Sequence, residues 1–300
     1  MAQYGSLHSA VLLPSGAVSR PSRLALRRAD AAGLVHVSNR GDSTASSLVK
    51  AVQNLQKFER FSFSSCRLES FDGLSEILQS GAWQLTLPEP TKQQIAEWPN
   101  LVRSFESIRS LLLYPGWPAS SEELGSLSLR ALGLRGGRFA DDGFLRDAHV
   151  VELYRVRVTK DGILRLPHVK YAEIRAARLD GRPLTAIEAP ELEFLNYTGS
   201  RGSESLPETR GDALRELSVS GMPDLKSFAG VGDSLQRLTI FGSVRVDAGA
   251  LANLRGSLQG FWWRGVASAR ARDAQAMLDV STQDDDHFPP DNLVADAFAQ

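Results

Sequence analysis

Apolar residues in the middle of the chain recur in an eleven-position pattern. The segment Phe58-Glu-Arg-Phe61-Ser-Phe63-Ser-Ser-Cys66-Arg-Leu68 is apolar at positions one, four and six, with cysteine at nine and leucine at eleven. Leu129-Arg-Ala-Leu132-Gly-Leu134 repeats its first half, with Phe139 in the eleventh place. Further starts fall at Ala82, Ile108, Ala148, Val169, Leu192, Leu214, Leu235 and Leu258, and from Ile108 onward they are spaced 21, 19, 21, 23, 22, 21 and 23 residues apart. A repeat near twenty residues is too short to bury its own apolar face, so it must stack on its neighbours. Alternation at four and six predicts a short strand per repeat, with four and six inward and three, five and seven outward.

The flanks read differently. Leu24 and Leu26 alternate, Asp30 to Gly33 turns, and Leu34 to Val37 alternates again, which predicts an edge hairpin. An amphipathic helix follows, capped at Ser43 or Thr44, with Leu48, Val49, Val52 and Leu55 on one face. At the other end a short helix is expected from Arg270 to Leu278. After Arg272 no Lys or Arg remains, while Asp273, Asp279, Asp284, Asp285, Asp286, Asp291 and Asp296 accumulate, which reads as a solvated acidic tail. The division expected is an N-terminal cap over 1–57, about ten coils of 19–26 residues over 58–266, and a C-terminal cap helix with the acidic tail over 267–300.

The repeated pattern resembles the leucine-rich repeat superfamily, in an irregular form. The resemblance implies an α/β repeat solenoid: an arc with a parallel β-sheet on its concave side, used to bind a protein partner. The chain departs from the family at the ninth position, which normally carries an asparagine linking successive coils. Here it reads Cys66, Gly137, Val156, Ala177, Ser200, Met222 and Ser243. Return segments are short, and Val156 to Leu166 reads as strands around Asp161-Gly162. Part of the convex side is therefore expected to be extended, and a two-sheet form close to a parallel β-helix stays open.

Composition narrows the function classes. The chain has 300 residues, 42% hydrophobic and 23% charged, with a net charge of -1, which argues against a generic nucleic-acid binder. No apolar run approaches the length of a membrane span, and the stretch from Ser9 to Val18 is broken by Pro14 and Gly16 and lacks a basic start. A single cysteine, Cys66, removes a disulfide scaffold and a multi-cysteine zinc site. A cytoplasmic, monomeric protein is expected, and 28 arginines against 6 lysines point to a bacterial source.

Candidate chemistry concentrates in the outward columns of the central coils. Tyr154, Tyr171 and Phe194 gather beside Arg135, Arg175, Glu152 and Glu173, the composition of an interface hot spot. Tyr114, Asn196, Arg237, Phe241 and Trp262 extend the same columns. The competing reading is that these aromatics pack on same-face neighbours and stiffen the sheet. Glu152 and Glu173 would lie side by side on adjacent strands, an arrangement a carbohydrate-active β-helix hydrolase could use if no arginine clamped them. Diagonal Arg135 and Arg175 would instead neutralise both. Arg40-Gly41-Asp42 is a short tripeptide better read as leading into the capped helix, and His149 and His168 take equivalent places in neighbouring coils. No nucleophile elbow, phosphate loop or histidine metal spacing occurs, so neither catalytic residue, metal ligand nor cofactor is assigned. The expectation is a non-catalytic protein-binding module of bacterial immunity or effector type.

Overall fold

The computed structural model describes residues 10–12, 24–29, 34–39, 60–63, 71–79 and 81–280, the last range excepting 140, 159–161, 176–177, 180–181, 200–201, 229, 232, 243–245, 247–250, 252–253, 266–267 and 279. The expected helix over Leu48 to Leu55, Cys66 and the acidic tail beyond residue 280 lie outside the described residues. The fold is α/β, and its contacts divide it into two compact units, Met1–Leu129 and Arg130–Gln300. None of the described helices is long and apolar enough to cross a membrane.

In the first unit, β1 (Ala10–Leu12), β2 (Leu24–Ala29) and β3 (Leu34–Asn39) pair antiparallel in succession. The β2–β3 pair is the hairpin expected from the alternation, with Leu26 opposite Val37. From β3 onward pairing turns parallel, through β4 (Arg60–Phe63), β5 (Gln84–Leu87) and β6 (Ser110–Leu113). Helices α1 (Leu74–Gln79), α2 (Lys92–Arg103) and α3 (Ser121–Leu124) occupy the return segments. Helix α2 starts at a capping box. Thr91 Oγ1 accepts from the Gln94 N–H at 3.2 Å, and Gln94 Oε1 accepts from the Thr91 N–H at 2.8 Å. The helix buries Trp98, Leu101 and Val102, and the Trp98 ring lies 4.6 Å from Trp117 and 5.8 Å, edge-on, from Phe105. This aromatic cluster fills the unit's interior.

The second unit contains β7 (Ala131–Arg135), β8 (Arg138–Phe139), β9 (Val150–Tyr154), β10 (Arg157–Val158), β11 (Ile163–Arg165), β12 (Tyr171–Arg175), β13 (Arg178–Leu179) and β14 (Arg182–Pro183). After them come β15 (Ala186–Glu188), β16 (Phe194–Thr198), β17 (Glu208–Arg210), β18 (Glu216–Ser220), β19 (Arg237–Phe241), β20 (Gly260–Arg264) and helix α4 (Ser268–Leu278). Strands β7, β9, β12, β16, β18, β19 and β20 form a parallel sheet in the expected register, with the third positions Ala131, Val150, Tyr171, Phe194, Glu216, Arg237 and Gly260 paired in order. The fourth and sixth positions, among them Leu132, Val151, Ile174, Leu217 and Ile240, are buried. So are the position-one residues Ala148, Val169, Leu192, Leu214 and Leu235, each worth roughly 1.5–3 kcal/mol when the side chain is large and fully covered. Helix α4 begins two residues before its expected start and buries Ala274 and Leu278.

With asparagine absent from the ninth place, main-chain atoms link the coils. The Arg130 carbonyl accepts from the His149 N–H at 2.8 Å and from Val150 at 3.1 Å. The carbonyls of His149, Lys170, Glu193, Arg215 and Gln236 each accept two N–H groups of the following coil in the same way. Every one of these acceptors is the second residue of its repeat. At the ninth position Val156 and Met222 are instead buried apolar packing.

The return segments of this unit are partly extended, as Val156 to Leu166 predicts, but the pairing corrects the turn. Strands β10 and β11 do not pair with each other around Asp161-Gly162. Strand β10 pairs in parallel with β8 and β13, and β11 pairs in parallel with β15, which pairs with β17. Neighbouring coils offer main-chain partners on both sides, which satisfies more N–H and C=O groups than an isolated hairpin would. An antiparallel pairing occurs one repeat later, between β13 and β14.

Candidate functional site

The central strands of the second unit bring together most of the residues singled out by the sequence. Glu152 and Glu173 are Cα partners on β9 and β12. Arg135, at the end of β7, reaches diagonally so that its Nη2 lies 3.2 Å from Glu152 Oε1. Arg175 turns back along its own strand and donates both Nε and Nη2 to Glu173 Oε1. Each carboxylate therefore carries an arginine, and the two pairs stand side by side on one sheet face.

Burial differs between the acids and the bases. The Glu173 side chain is 11% exposed and that of Glu152 is 16%, whereas Arg175 and Arg135 are 48% and 38% exposed. Burial raises the Glu152 carboxyl above its ordinary pKa; the Arg135 guanidinium opposes this, and the neighbouring Glu173 charge adds to it.

The aromatics divide into two groups. Tyr171 is half-buried and packs on a small apolar cluster of Ala131 and Val150. Tyr154 is half-buried, and the Arg155 guanidinium lies 5.2 Å from its ring centroid. Phe194 and Trp262, expected to point outward, are each only 9% exposed. A Cβ built on Gly260 would come within 2.8 Å of Trp262 Cη2, so the indole folds back over the glycine two residues earlier on its own strand. Neither residue is an exposed contact surface, and for Trp262 packing on its own strand accounts for the burial.

Asn196 is half-buried between its register partners Glu173 and Ser218. Arg237 Nη1 donates to Glu216 Oε1, Thr198 and Ser220 share a hydroxyl hydrogen bond at 2.8 Å, and Phe241 is half-buried at the end of β19. Tyr197 faces inward, where burial pushes its phenol up to about 12. Tyr114 belongs to the first unit, where it is half-buried and its N–H donates to the Leu87 carbonyl at 3.1 Å.

One functional feature escaped the sequence reading. At the eighth position of four repeats glycine is left-handed: Gly136, Gly221, Gly242 and Gly265 have φ of 80°, 65°, 70° and 77°, whereas Gly199 is not left-handed. Arg155 holds that position on β9's edge with φ 53°, the one non-glycine residue with positive φ among the described residues. In the sequence the eighth positions of the second unit read Gly136, Arg155, Ala176, Gly199, Gly221, Gly242 and Gly265, a mostly glycine column from which Arg155 departs.

Several described charges elsewhere in the unit are paired locally. Asp142, Arg165, Glu188, Arg210 and Glu208 form a chain of ion pairs across β11, β15 and β17, with Arg165 Nε 3.3 Å from Glu188 and Arg210 Nη1 3.0 Å from its other oxygen. His168 Nδ1 lies 2.9 Å from Glu191, a contact that lowers the Glu191 carboxyl, while His149 Nδ1 meets the Asp147 carbonyl at 3.1 Å. The two histidines thus have separate partners. No protein-family model matches the chain, and no curated protein shows significant similarity to it.

Proposed function

We propose that this chain is a leucine-rich-repeat-like solenoid of the non-catalytic, protein-binding kind, and that the outward columns of β7, β9 and β12 are its contact face. The observation that carries the reading is the pair of arginine–glutamate clamps flanked by half-buried Tyr154 and Tyr171. Arginine and tyrosine dominate interface energetics, and arginines already held by buried carboxylates lose little freedom when a partner docks. The hydrolase alternative calls for two carboxylates free of arginine, and here both are engaged. A role of immunity or effector type, in which a rigid face blocks a partner protein, is the biological setting this chemistry fits.

The test is affinity capture from a lysate of the source organism, with the wild-type chain beside Tyr154→Ala/Tyr171→Ala/Arg175→Ala. Circular dichroism must first show that both baits have the same secondary structure. A protein recovered by the wild type and lost with the variant supports the reading and identifies the partner. Recovery of the same protein by both baits refutes the face.

A further inference from the structure

The edge of this face, where the first sheet turns toward the second, carries two arginines in each of three successive repeats. Segments 131–139, 150–158 and 171–179 contain six arginines and two glutamates, in a chain whose net charge is -1. Of the segments that follow, 194–202 has one arginine, 216–224 has two acids and no base, and 237–245 again has two arginines, of which Arg237 is paired with Glu216. Arg138, Arg157 and Arg178 are Cα partners across β8, β10 and β13, so the register stacks them in one column. Arg155 and Arg157 are exposed, and Arg135 and Arg175 keep a third to a half of their side chains in solvent.

Backbone conformation marks the middle of this cluster. At Arg155 the chain places an arginine in the left-handed conformation that glycine adopts at the equivalent positions 136, 221, 242 and 265, against the preference of L-residues for negative φ. Such an outlier persists where the surroundings hold it, and it concentrates at functional sites. The side chain gained by forgoing glycine is exposed and braced on the Tyr154 ring.

Resting on the reading that this face binds a protein, we infer that the partner presents an acidic segment, and that the arginine edge centred on Arg155 and Arg157 receives its carboxylates. Carboxylate is the group that Arg135 and Arg175 already hold inside the site, and the guanidinium fork matches it with two parallel donors. A nucleic acid is the other polyanion an arginine edge could hold, and the experiment separates it from an acidic peptide.

The experiment measures fluorescence anisotropy of a labelled short oligoglutamate and of an oligothymidylate of equal charge against the full chain, wild type and Arg155→Gly/Arg157→Gln. Oligoglutamate should bind the wild type more tightly than oligothymidylate, and the variant should lose about tenfold in affinity. Arg155→Gly alone should melt no lower than the wild type, because glycine suits the left-handed backbone, so lost binding cannot be laid to lost folding. Failure of oligoglutamate to bind the wild type, or equal binding by the variant, overturns the inference. Tighter binding of oligothymidylate also overturns it, in favour of a nucleic acid. Oligoglutamate binding that emerges only in Asp284→Asn/Asp285→Asn/Asp286→Asn gives the edge to this chain's own acidic tail and overturns the assignment to a partner. If a captured partner is lost with Tyr154→Ala/Tyr171→Ala/Arg175→Ala but kept by Arg155→Gly/Arg157→Gln, the acidic-segment inference fails and the face stands. If it is kept by both, the face itself is wrong.

Discussion

Cutting the Arg175–Glu173 pair from its two ends should have unequal consequences. Arg175→Ala leaves the Glu173 carboxylate, 11% exposed, facing Glu152 with its clamp gone. Breaking a fully buried pair by removing one partner costs about 3–5 kcal/mol. Here the arginine is half in solvent, so water enters the vacated space and the loss should fall to about 2 kcal/mol. Glu173→Gln makes the opposite cut. It keeps the shape and an acceptor oxygen, removes the mutual repulsion with Glu152, and frees a guanidinium that solvent can hydrate, so the loss should stay below about 1 kcal/mol. Arg175→Lys should fall between the two, because an ammonium restores the charge without the two-donor geometry. Urea denaturation at neutral pH, followed by circular dichroism, reads all three. Equal losses from the two ends, or a greater loss from Glu173→Gln, would refute the argument that the buried carboxylate sets the cost.

Two further perturbations test the site and its scaffold. Because the Glu152 carboxyl is raised, its contribution to stability is fullest below the ordinary carboxyl range near 4.5 and is lost as pH rises through the raised value. Glu152→Gln should therefore remove a decline in stability on the alkaline side of pH 4.5, and melting curves across that range that keep the wild-type slope would count against it. Gly211 has φ 152°, and a Cβ there would meet the Ala189 carbonyl oxygen at 2.6 Å, whereas Gly242 has φ 70° with open space around it. Gly242→Ala should cost about 1–2 kcal/mol from conformation alone, and Gly211→Ala about 1–3 kcal/mol more from the backbone clash, as measured by denaturant midpoint.

The repeat was legible because its determinants are local and periodic. Leu132 and Leu134, or Leu217 and Val219, announce an inward face by alternation, and fixed spacing then aligns each strand with the next. The diagonal partner of Glu152 followed from the same register. What the sequence left hidden depends on neighbours distant in the chain. Strand character around Asp161-Gly162 was visible, but the choice between hairpin and stacked partner rests on coils some twenty residues away. The burial of Phe194 and Trp262 depends on which side chains flank them, and for Trp262 on the bare Cα of Gly260 beneath the ring. Helix α2 had a readable start in Thr91 and Gln94, yet it interrupts a pattern that draws attention to strands. The left-handed Arg155 needed the glycine column to be aligned before its departure could register.

The main-chain link between coils makes each repeat a cassette. Since the second-position carbonyl accepts the main-chain N–H groups of the next repeat whatever its side chains, excising residues 216–236, a whole period, would join Arg215 to Arg237 and present the Glu193 carbonyl with an equivalent pair of donors. Insertion of a period works in the same way. Coil number is thus a quantity that duplication and deletion can change in whole steps without redesigning any side-chain joint. Selection could lengthen or shorten the surface offered to a changing partner while leaving the three arginine-bearing coils intact.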